Sequence, residues 1–230
     1  MLKVTWFGQS AFLLQDGDGG VFIDPFGDMS RLTGTGRRWD YPAIEGAKPD
    51  LLLITHEHAD HNAVDAVEGE PHVIRSLAGT FGQAGMPVVG IASEHDRVAG
   101  TQRGANVIFV FDYRGLRICH MGDFGQSALR PEQREAIGQV DLLFVPVGGS
   151  ATIDGTQAAS LVAELSPRWA VPMHYRSQAI DFLDDADSFL AAVRAEIVSL
   201  DRQFFQPEQI ETAGSPVVVV PAAPLRSPAG

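Results

Sequence analysis

Cysteine is almost missing from this 230-residue chain. Cys119 stands alone, which excludes an intrachain disulfide and gives no sign of an oxidising compartment. Long hydrophobic runs are missing too: the apolar stretches are of strand length, far below the ~20 residues a transmembrane helix needs. The start, Met1-Leu2-Lys3-Val4-Thr5-Trp6, has no basic segment leading into an apolar one, so no signal peptide is expected. Positive charge is scarce, with 17 Lys and Arg against 29 Asp and Glu and a formal net charge of −12. Such an acidic surface repels phosphate backbones and anionic lipid, so neither nucleic acid nor a membrane is expected as a partner. The default expectation is a soluble cytoplasmic protein with a small-molecule partner, with a homo-oligomer left open. No internal repeat or low-complexity tract is present.

What the chain does have suits a core. Hydrophobic residues make up 45% and charged residues 20%, enough for one large α/β domain. We place that domain at residues 1–220 and expect an irregular tail at 221–230, which carries Pro221, Pro224 and Pro228. Lys3 to Phe7, Ala11 to Gln15 and Val21 to Asp24 read as short strands, separated by Gly8-Gln9-Ser10 and a Gly-rich turn. Residues 27 to 49 read as a long loop, and loops of that length in compact domains are often functional. Leu51-Leu52-Leu53-Ile54 is continuously apolar, as a strand buried on both faces is. Similar strands are expected at His72 to Arg75, Val88 to Ala92, Val107 to Phe111, Leu116 to His120, Leu142 to Val145 and Trp169 to Pro172. Helical spacing is found at Thr156 to Leu165, stopped by Pro167, and at Asp184 to Val198. Strands with interspersed helices suggest sheets covered by helices.

The chemistry concentrates in His56-Glu57-His58-Ala59-Asp60-His61, directly after the buried strand and Thr55. Alternate residues of an extended segment point the same way, so His56 and His58 can grip one ion. If the chain then turns into a helix, Asp60 and His61 can face a second. Imidazole and carboxylate suit zinc, manganese or iron. The plainer alternative is a polar loop whose histidines only hydrogen-bond; three histidines and an aspartate packed behind one buried strand argue against it.

His56-x-His58-x-Asp60-His61 resembles the HxHxDH signature of the metallo-β-lactamase superfamily. The resemblance runs from about Val4 to Tyr175. Phe22-Ile23-Asp24-Pro25 is similar to the family's early strand ending in Asp. Ala92-Ser93-Glu94-His95-Asp96 resembles the segment that supplies a third histidine. Cys119-His120-Met121-Gly122-Asp123 resembles the segment whose Asp bridges two metals. Val145-Pro146-Val147-Gly148-Gly149 and Pro172-Met173-His174-Tyr175 resemble the late segments. Together they resemble the branch related to ascorbate-phosphate lactonases and small zinc-dependent hydrolases. The resemblance implies a four-layer αββα sandwich and a binuclear site. His56, His58 and His95 would hold the first metal, Asp60, His61 and His174 the second, and Asp123 would bridge them.

Several residues admit two readings. Alone, His95 and His174 would each pass as a satisfied polar group after a strand, and Asp123 as a turn aspartate. Asp24 reads better as an outer partner that orients a ligand histidine than as a ligand. His120 is surplus to a seven-ligand site, so it is expected to support a ligand or to contact substrate as a catalytic residue. His72 reads as structural. Many relatives carry Gly-His where this chain has Gly8-Gln9, which bears on substrate.

The expected function is therefore hydrolysis of a lactone, ester or phosphodiester by a metal-bound hydroxide, with two divalent ions, zinc before manganese or iron. Asp60 or Asp123 would hold and relay the proton. No Gly-x-Ser-x-Gly elbow is present, and Cys119 lies in an apolar strand, so no side-chain nucleophile is expected. Two alternatives stand beside it: iron-dependent redox chemistry on the same fold, and a non-catalytic metal-binding regulator.

Overall fold

Apolar runs in this chain become strands because both of their faces are covered. In the computed structural model, which describes residues 1–17, 19–83, 86–150, 152–214 and 216–226, Leu51–Ile54 is buried along its whole length. Leu51 and Leu53 join one apolar cluster; Leu52 and Ile54 join another on the opposite face. The same division splits Phe12 and Leu14 from Ala11 and Leu13. A period of two sends alternate residues to opposite sides, so a strand with apolar residues at every position must lie between two layers.

In chain order the elements are β1 (Lys3–Gly8), β2 (Ala11–Gln15), β3 (Val21–Ile23), α1 (Ser30–Thr33), β4 (Leu51–Ile54), β5 (His72–Arg75), β6 (Gly79–Gln83), β7 (Met86–Glu94), β8 (Ala105–Tyr113) and β9 (Leu116–His120). There follow α2 (Pro131–Ile137), β10 (Leu142–Pro146), α3 (Gly155–Leu165), β11 (Trp169–Met173), α4 (Asp187–Ala192), β12 (Glu196–Ser199), β13 (Phe204–Phe205) and β14 (Val217–Val220). They form a six-stranded sheet, β13-β1-β2-β3-β4-β5, and an eight-stranded sheet, β12-β14-β11-β10-β9-β8-β7-β6. Both are mixed: β3, β4 and β5 pair in parallel, as do β9, β10, β11, β14 and β12, while the remaining pairs are antiparallel. The sheets face each other, with Phe12 of β2 against Phe144 of β10 at a ring separation of 4.3 Å. α2 and α3 lie against the second sheet, whereas the outer face of the first is closed by aromatic and aliphatic residues of the 26–47 and 179–183 segments, among them Trp39, Tyr41 and Ile180. This is the αββα order, with one outer layer built mostly of loop.

Several expectations need correction. Asp184 to Val198 is not one helix: α4 stops at Ala192, Val193 is extended, and Glu196–Ser199 pairs in parallel with β14. The β-branched Ile197 and Val198 follow the sheet rather than the helical spacing. His72–Arg75 is a strand but not a buried one; it is the edge of its sheet, and His72 and Val73 are exposed. Strands β6, β13 and β14 and helix α2 were not expected. The 27–49 loop carries the short α1 and a one-residue bridge from Trp39 to Ile180. Of the tail, residues 221–226 hold no helix or strand, and residues 227–230 lie outside the described residues. Among the described residues, no helix is long and apolar enough to cross a membrane.

Candidate metal centre

The loops that follow β4, β7, β9 and β11 meet at one edge of the sandwich. β4 delivers His56 to His61, β7 delivers His95, β9 delivers Asp123, and β11 delivers His174. Strand ends fix such loops because the preceding residues are held by ladder hydrogen bonds and by core packing on both faces. The segment after β4 does not turn into an α-helix, the condition under which Asp60 and His61 were read as facing a second ion. It closes as a turn, His61 N–H to the His58 carbonyl at 2.9 Å, before a 3-10 turn at Val64–Ala66. The turn still places Asp60 and His61 in a donor cluster separate from that of His56 and His58.

Two clusters of donor atoms result. His56, His58, His95 and Asp123 form one; Asp60, His61 and His174 form the other; the donors of each lie within 4.8 Å of one another. Asp123 joins them. Its Oδ2 lies 3.0 Å from His95 Nε2 and 3.8 Å from His56 Nε2 on one side, and 3.2 Å from His174 Nε2 and 3.4 Å from His61 Nε2 on the other. Donors around a tetrahedral ion with bonds near 2.0–2.1 Å stand roughly 3.3 Å apart, so these spacings fit a metal.

Hydrogen bonds set the imidazole tautomers. Thr55 Oγ1 donates its one hydrogen to Asp24 Oδ2 at 2.7 Å, so toward His56 Nδ1, 3.0 Å away, it accepts. The His56 proton is thereby fixed on Nδ1, and Nε2 offers its lone pair to the cluster. Asp24 Oδ2 likewise accepts from His61 Nδ1 at 3.0 Å, and Asp24 Oδ1 accepts the Thr55 N–H at 2.8 Å. Asp24 therefore has the orienting position expected of it, buried beneath the site.

The electrostatics favour ligation. Burial pushes His56 down to about 2, with the positive field of His61 adding to it; burial likewise lowers His58 and His174. These three are neutral imidazoles at pH 7. Burial opposes ionisation of Asp123, but His174 and His61 overcome it and hold the carboxylate well below its usual range. Asp60 is lowered on the same balance, chiefly by His61. His61 goes the other way: burial lowers it, but Asp123, Asp60 and Asp24 together raise it well above the ordinary histidine value. Surrounded by three carboxylates, it holds a proton that a divalent ion would displace. Buried His61 Nε2, Asp123 Oδ1 and His174 Nδ1 have no hydrogen-bond partner among the described residues. A buried polar atom without a partner costs on the order of 1–3 kcal/mol, and a bound cation or water removes that cost at a donor aimed toward it.

The surroundings are shaped to bring these groups together. Gly122 has φ +56°, and a Cβ there would run into Thr55 and Asn106. Asn106 Oδ1 accepts the Asp123 N–H at 3.0 Å while its Nδ2 donates to the Met121 carbonyl at 2.8 Å. A Cβ on Gly148 would collide with the His174 carbonyl, so glycine lets the two loops touch. Three non-glycine residues at the site, Gln9, Asp24 and His174, have φ of 48°, 51° and 52°. Left-handed backbone is uncommon outside glycine, and its concentration here marks a place where geometry is held against local preference.

His120 was expected to support a ligand or to touch substrate. The structure corrects the second alternative. His120 is fully buried, its Nε2 donates to the Ser10 carbonyl at 3.0 Å, and its Nδ1 accepts the Gly122 N–H at 3.1 Å. With both nitrogens used, it braces the Gly122 turn ahead of Asp123. Gln9 is placed at the site instead: fully buried, it donates from Nε2 to Asp60 Oδ2 at 3.3 Å. Sequence reasoning missed Thr55 and Asn106. Thr55 adjoins the motif and could have been suspected; nothing local marks Asn106.

Beside the clusters lies a pocket of about 270 Å³ that includes His58, Asp60, Asp123 and His174 in its wall. Met29, Leu32 and Arg37 come to it from the 27–49 loop, Phe182 and Leu183 from the segment after His174, and Arg103 from the turn between β7 and β8. A larger cavity, of about 490 Å³, lies behind Met29 and holds none of the cluster residues.

Comparison with known proteins agrees with this geometry. A sequence profile described as a beta-lactamase superfamily domain matches residues 3–174. A UPF0173 metal-dependent hydrolase of Thermococcus kodakarensis is 30% identical over 229 residues, covering 87% of this chain and 96% of the relative. One from Nitratidesulfovibrio vulgaris is 30% identical over 200 residues, covering 75% and 80%. A crystal structure of a metallo-β-lactamase superfamily member from Thermotoga maritima superposes with a TM-score of 0.74 at 29% identity, covering 96% of this chain and all of that one.

Proposed function

Since the chain belongs to the β-lactamase superfamily whose domain spans its residues 3–174, we propose that it is a binuclear metal-dependent hydrolase acting on a small lactone, ester or phosphodiester. The observation that carries this reading is Asp123 Oδ2, which stands within 3.0–3.8 Å of histidines from both donor clusters. His56, His58 and His95 would hold one ion, Asp60, His61 and His174 the other, and Asp123 would bridge them. Zinc suits this mixed imidazole and carboxylate set, with manganese and iron as the other candidates. Two bound divalent ions would lower the pKa of a shared water and polarise the substrate's carbonyl or phosphoryl oxygen.

The chain's own groups do the rest. Asp123 is enclosed by imidazoles and is an orienting ligand. Asp60 is half-buried on the pocket wall, so its carboxylate is the one placed to take a proton from the attacking water and return it to the leaving group. Gln9 leaves that carboxylate one fixed hydrogen bond on Oδ2. Cys119 supplies no nucleophile: it is buried in β9, and burial pushes its thiol up to about 12. We also take residues 1–220 as one domain, because both sheets contribute strands to one core cluster.

Elemental analysis of protein purified without chelator, paired with a panel of lactones, esters and phosphodiesters, tests the proposal. About two transition-metal ions per chain and hydrolysis of at least one class are expected. Turnover in ¹⁸O-labelled water should place one labelled oxygen in the product in a single turnover. A trapped acyl- or phosphoryl-enzyme, or product oxygen drawn from dissolved O₂, would overturn the mechanism.

A further inference from the structure

The pocket beside the metal cluster carries two guanidinium groups whose charge the protein does not answer. Nine arginines are paired with a carboxylate, among them Arg75 with Glu57, Arg97 with Asp154, Arg117 with Asp112, Arg130 with Glu94, Arg134 with Glu164 and Arg176 with Asp185, while Arg31, Arg194, Arg202 and Arg226, without such a partner among the described residues, lie outside this pocket. In a chain with 29 acidic side chains against 17 basic ones, a carboxylate is easily found. Yet among the described residues neither Arg37 nor Arg103 has a carboxylate partner, and neither guanidinium donates a hydrogen bond to an acceptor. Both line the pocket that holds Asp60 and His174.

Their settings are built. Arg37 lies over the Phe182 ring, its guanidinium carbon 5.4 Å from the ring centre, which leaves the N–H edges free to donate. Arg103 ends a loop organised by Asp96. That carboxylate accepts the N–H groups of Val98 and Gly100 on Oδ1 (2.9 and 2.8 Å) and of Gln102 and Arg103 on Oδ2 (2.9 and 2.8 Å). Asp96 thus fixes the backbone from which Arg103 projects while its own oxygens are already occupied. Arg103 and Ser150 also line an adjoining cavity of about 430 Å³, with Gln102 and Thr152 in its wall. The metal pocket itself has apolar walls in Met29, Leu32, Phe182 and Leu183.

We propose that the substrate is an amphipathic anion, its apolar part against Met29, Leu32, Phe182 and Leu183 and its carboxylate or phosphate group received by Arg37 and Arg103. This rests on the hydrolase reading for the identity of the reacting bond, but not for the recognition of charge. Guanidinium matches the planar carboxylate and the phosphate oxygens through paired N–H donors, and a neutral substrate of the same shape leaves those donors unanswered.

The test is binding to zinc-loaded protein by calorimetry, with 4-phenylbutanoate, 3-phenylpropylphosphonate and the neutral 4-phenylbutanamide as probes. Any contact of the anions with zinc is common to wild type and variants, so comparing proteins isolates the arginines. Arg37→Gln and Arg103→Gln should each weaken at least one anion about tenfold, as loss of a charged hydrogen bond does, and leave the amide unchanged. Both side chains are exposed, so zinc content and thermal midpoint should stay at wild-type values. The stronger anion in wild type tells a carboxylate substrate from a phosphate one. Equal anion affinity in wild type and the double variant, or an amide bound as tightly as the anions, overturns the proposal. Failure to hydrolyse any ester, lactone or phosphodiester with zinc bound, while the tenfold losses persist, removes the hydrolytic reading and leaves the anion site standing.

Discussion

At the scale of single residues, the site separates groups that would hold a metal from groups that would aim them. His58 and Asp60 both lie on the pocket wall, whereas His72 is an exposed edge residue. His58→Ala and Asp60→Ala are therefore expected to lower activity by more than the ~10–100-fold typical of outer partners, with metal content falling in parallel, and His72→Ala to change neither. Equal effects at the three positions, measured by kinetics and elemental analysis together, would remove the ligand assignment. Gln9 makes a finer test. It is fully buried, in left-handed backbone, with its side chain on Asp60 and its carbonyl accepting from Trp6 Nε1 at 3.0 Å. Gln9→Ala should cost about 10–100-fold in affinity for one of two metal equivalents in a competition titration with a chromogenic chelator. Unchanged affinity at both equivalents would mean that Asp60 needs no such support.

At the scale of elements, the motif loop is tied to the sheet edge by Glu57, which belongs to neither donor cluster. Its carboxylate accepts from Arg75 at 2.6 and 2.8 Å, from Ser76 Oγ at 2.8 Å and from Asn62 at 3.2 Å. The Arg75 hydrogen bond, helped by those of Ser76 and Asn62, holds Glu57 down at about 2, from an ordinary value of 4.5, against the opposing effect of burial. A lowered carboxylate stabilises the fold above its unfolded pKa and loses that contribution as pH falls through the folded one. Glu57→Gln should therefore lower the thermal midpoint at pH 7, and its gap from wild type should close between pH 4.5 and 2. Measurement in chelator keeps metal loss from masking the effect. Because Glu57 is half-exposed and water screens the pair, the gap should be modest. A gap that widens in acid would contradict the assignment. The same edge explains why His72–Arg75 is polar for a strand: β5 has a neighbour on one side only, and charge on an exposed edge discourages pairing with another chain.

For the whole molecule, the candidate metal site lies where strands of both sheets end, so its occupancy should be felt throughout the fold. A buried carboxylate, Asp123, and a half-buried one, Asp60, are gathered beside His61, whose pKa they raise, and bound cations would neutralise that arrangement. Binding to the folded state alone stabilises by mass action, about 4 kcal/mol at a free concentration 1,000 times Kd. Zinc should raise the thermal midpoint of chelator-treated protein by several degrees and EDTA should reverse it, with His61→Ala showing a smaller rise than wild type. An equal rise in that variant would place the stabilising metal elsewhere.

The sequence by itself determined most of the strands and singled out His56, His58, Asp60 and His61, while His95, Asp123 and His174 entered the expected site only through the family resemblance. Those signals are local: a fully apolar run such as Leu51–Ile54 has no stable place except between two layers, and histidines two apart after such a strand converge. It also placed Cys119 within an apolar strand, where the residue is indeed buried. Only the tertiary structure decided the rest. Ile197 and Val198 joined a sheet because β14, about twenty residues on, offered an edge to pair with. His120 became a brace because the Ser10 carbonyl lies over its ring nitrogen across 110 residues of chain. Asn106 reaches Asp123 from the neighbouring strand, and Arg37 and Arg103 meet the pocket from opposite halves of the motif's flanks. In each case the partner is set by packing between distant segments, and no pattern within one segment carries that information.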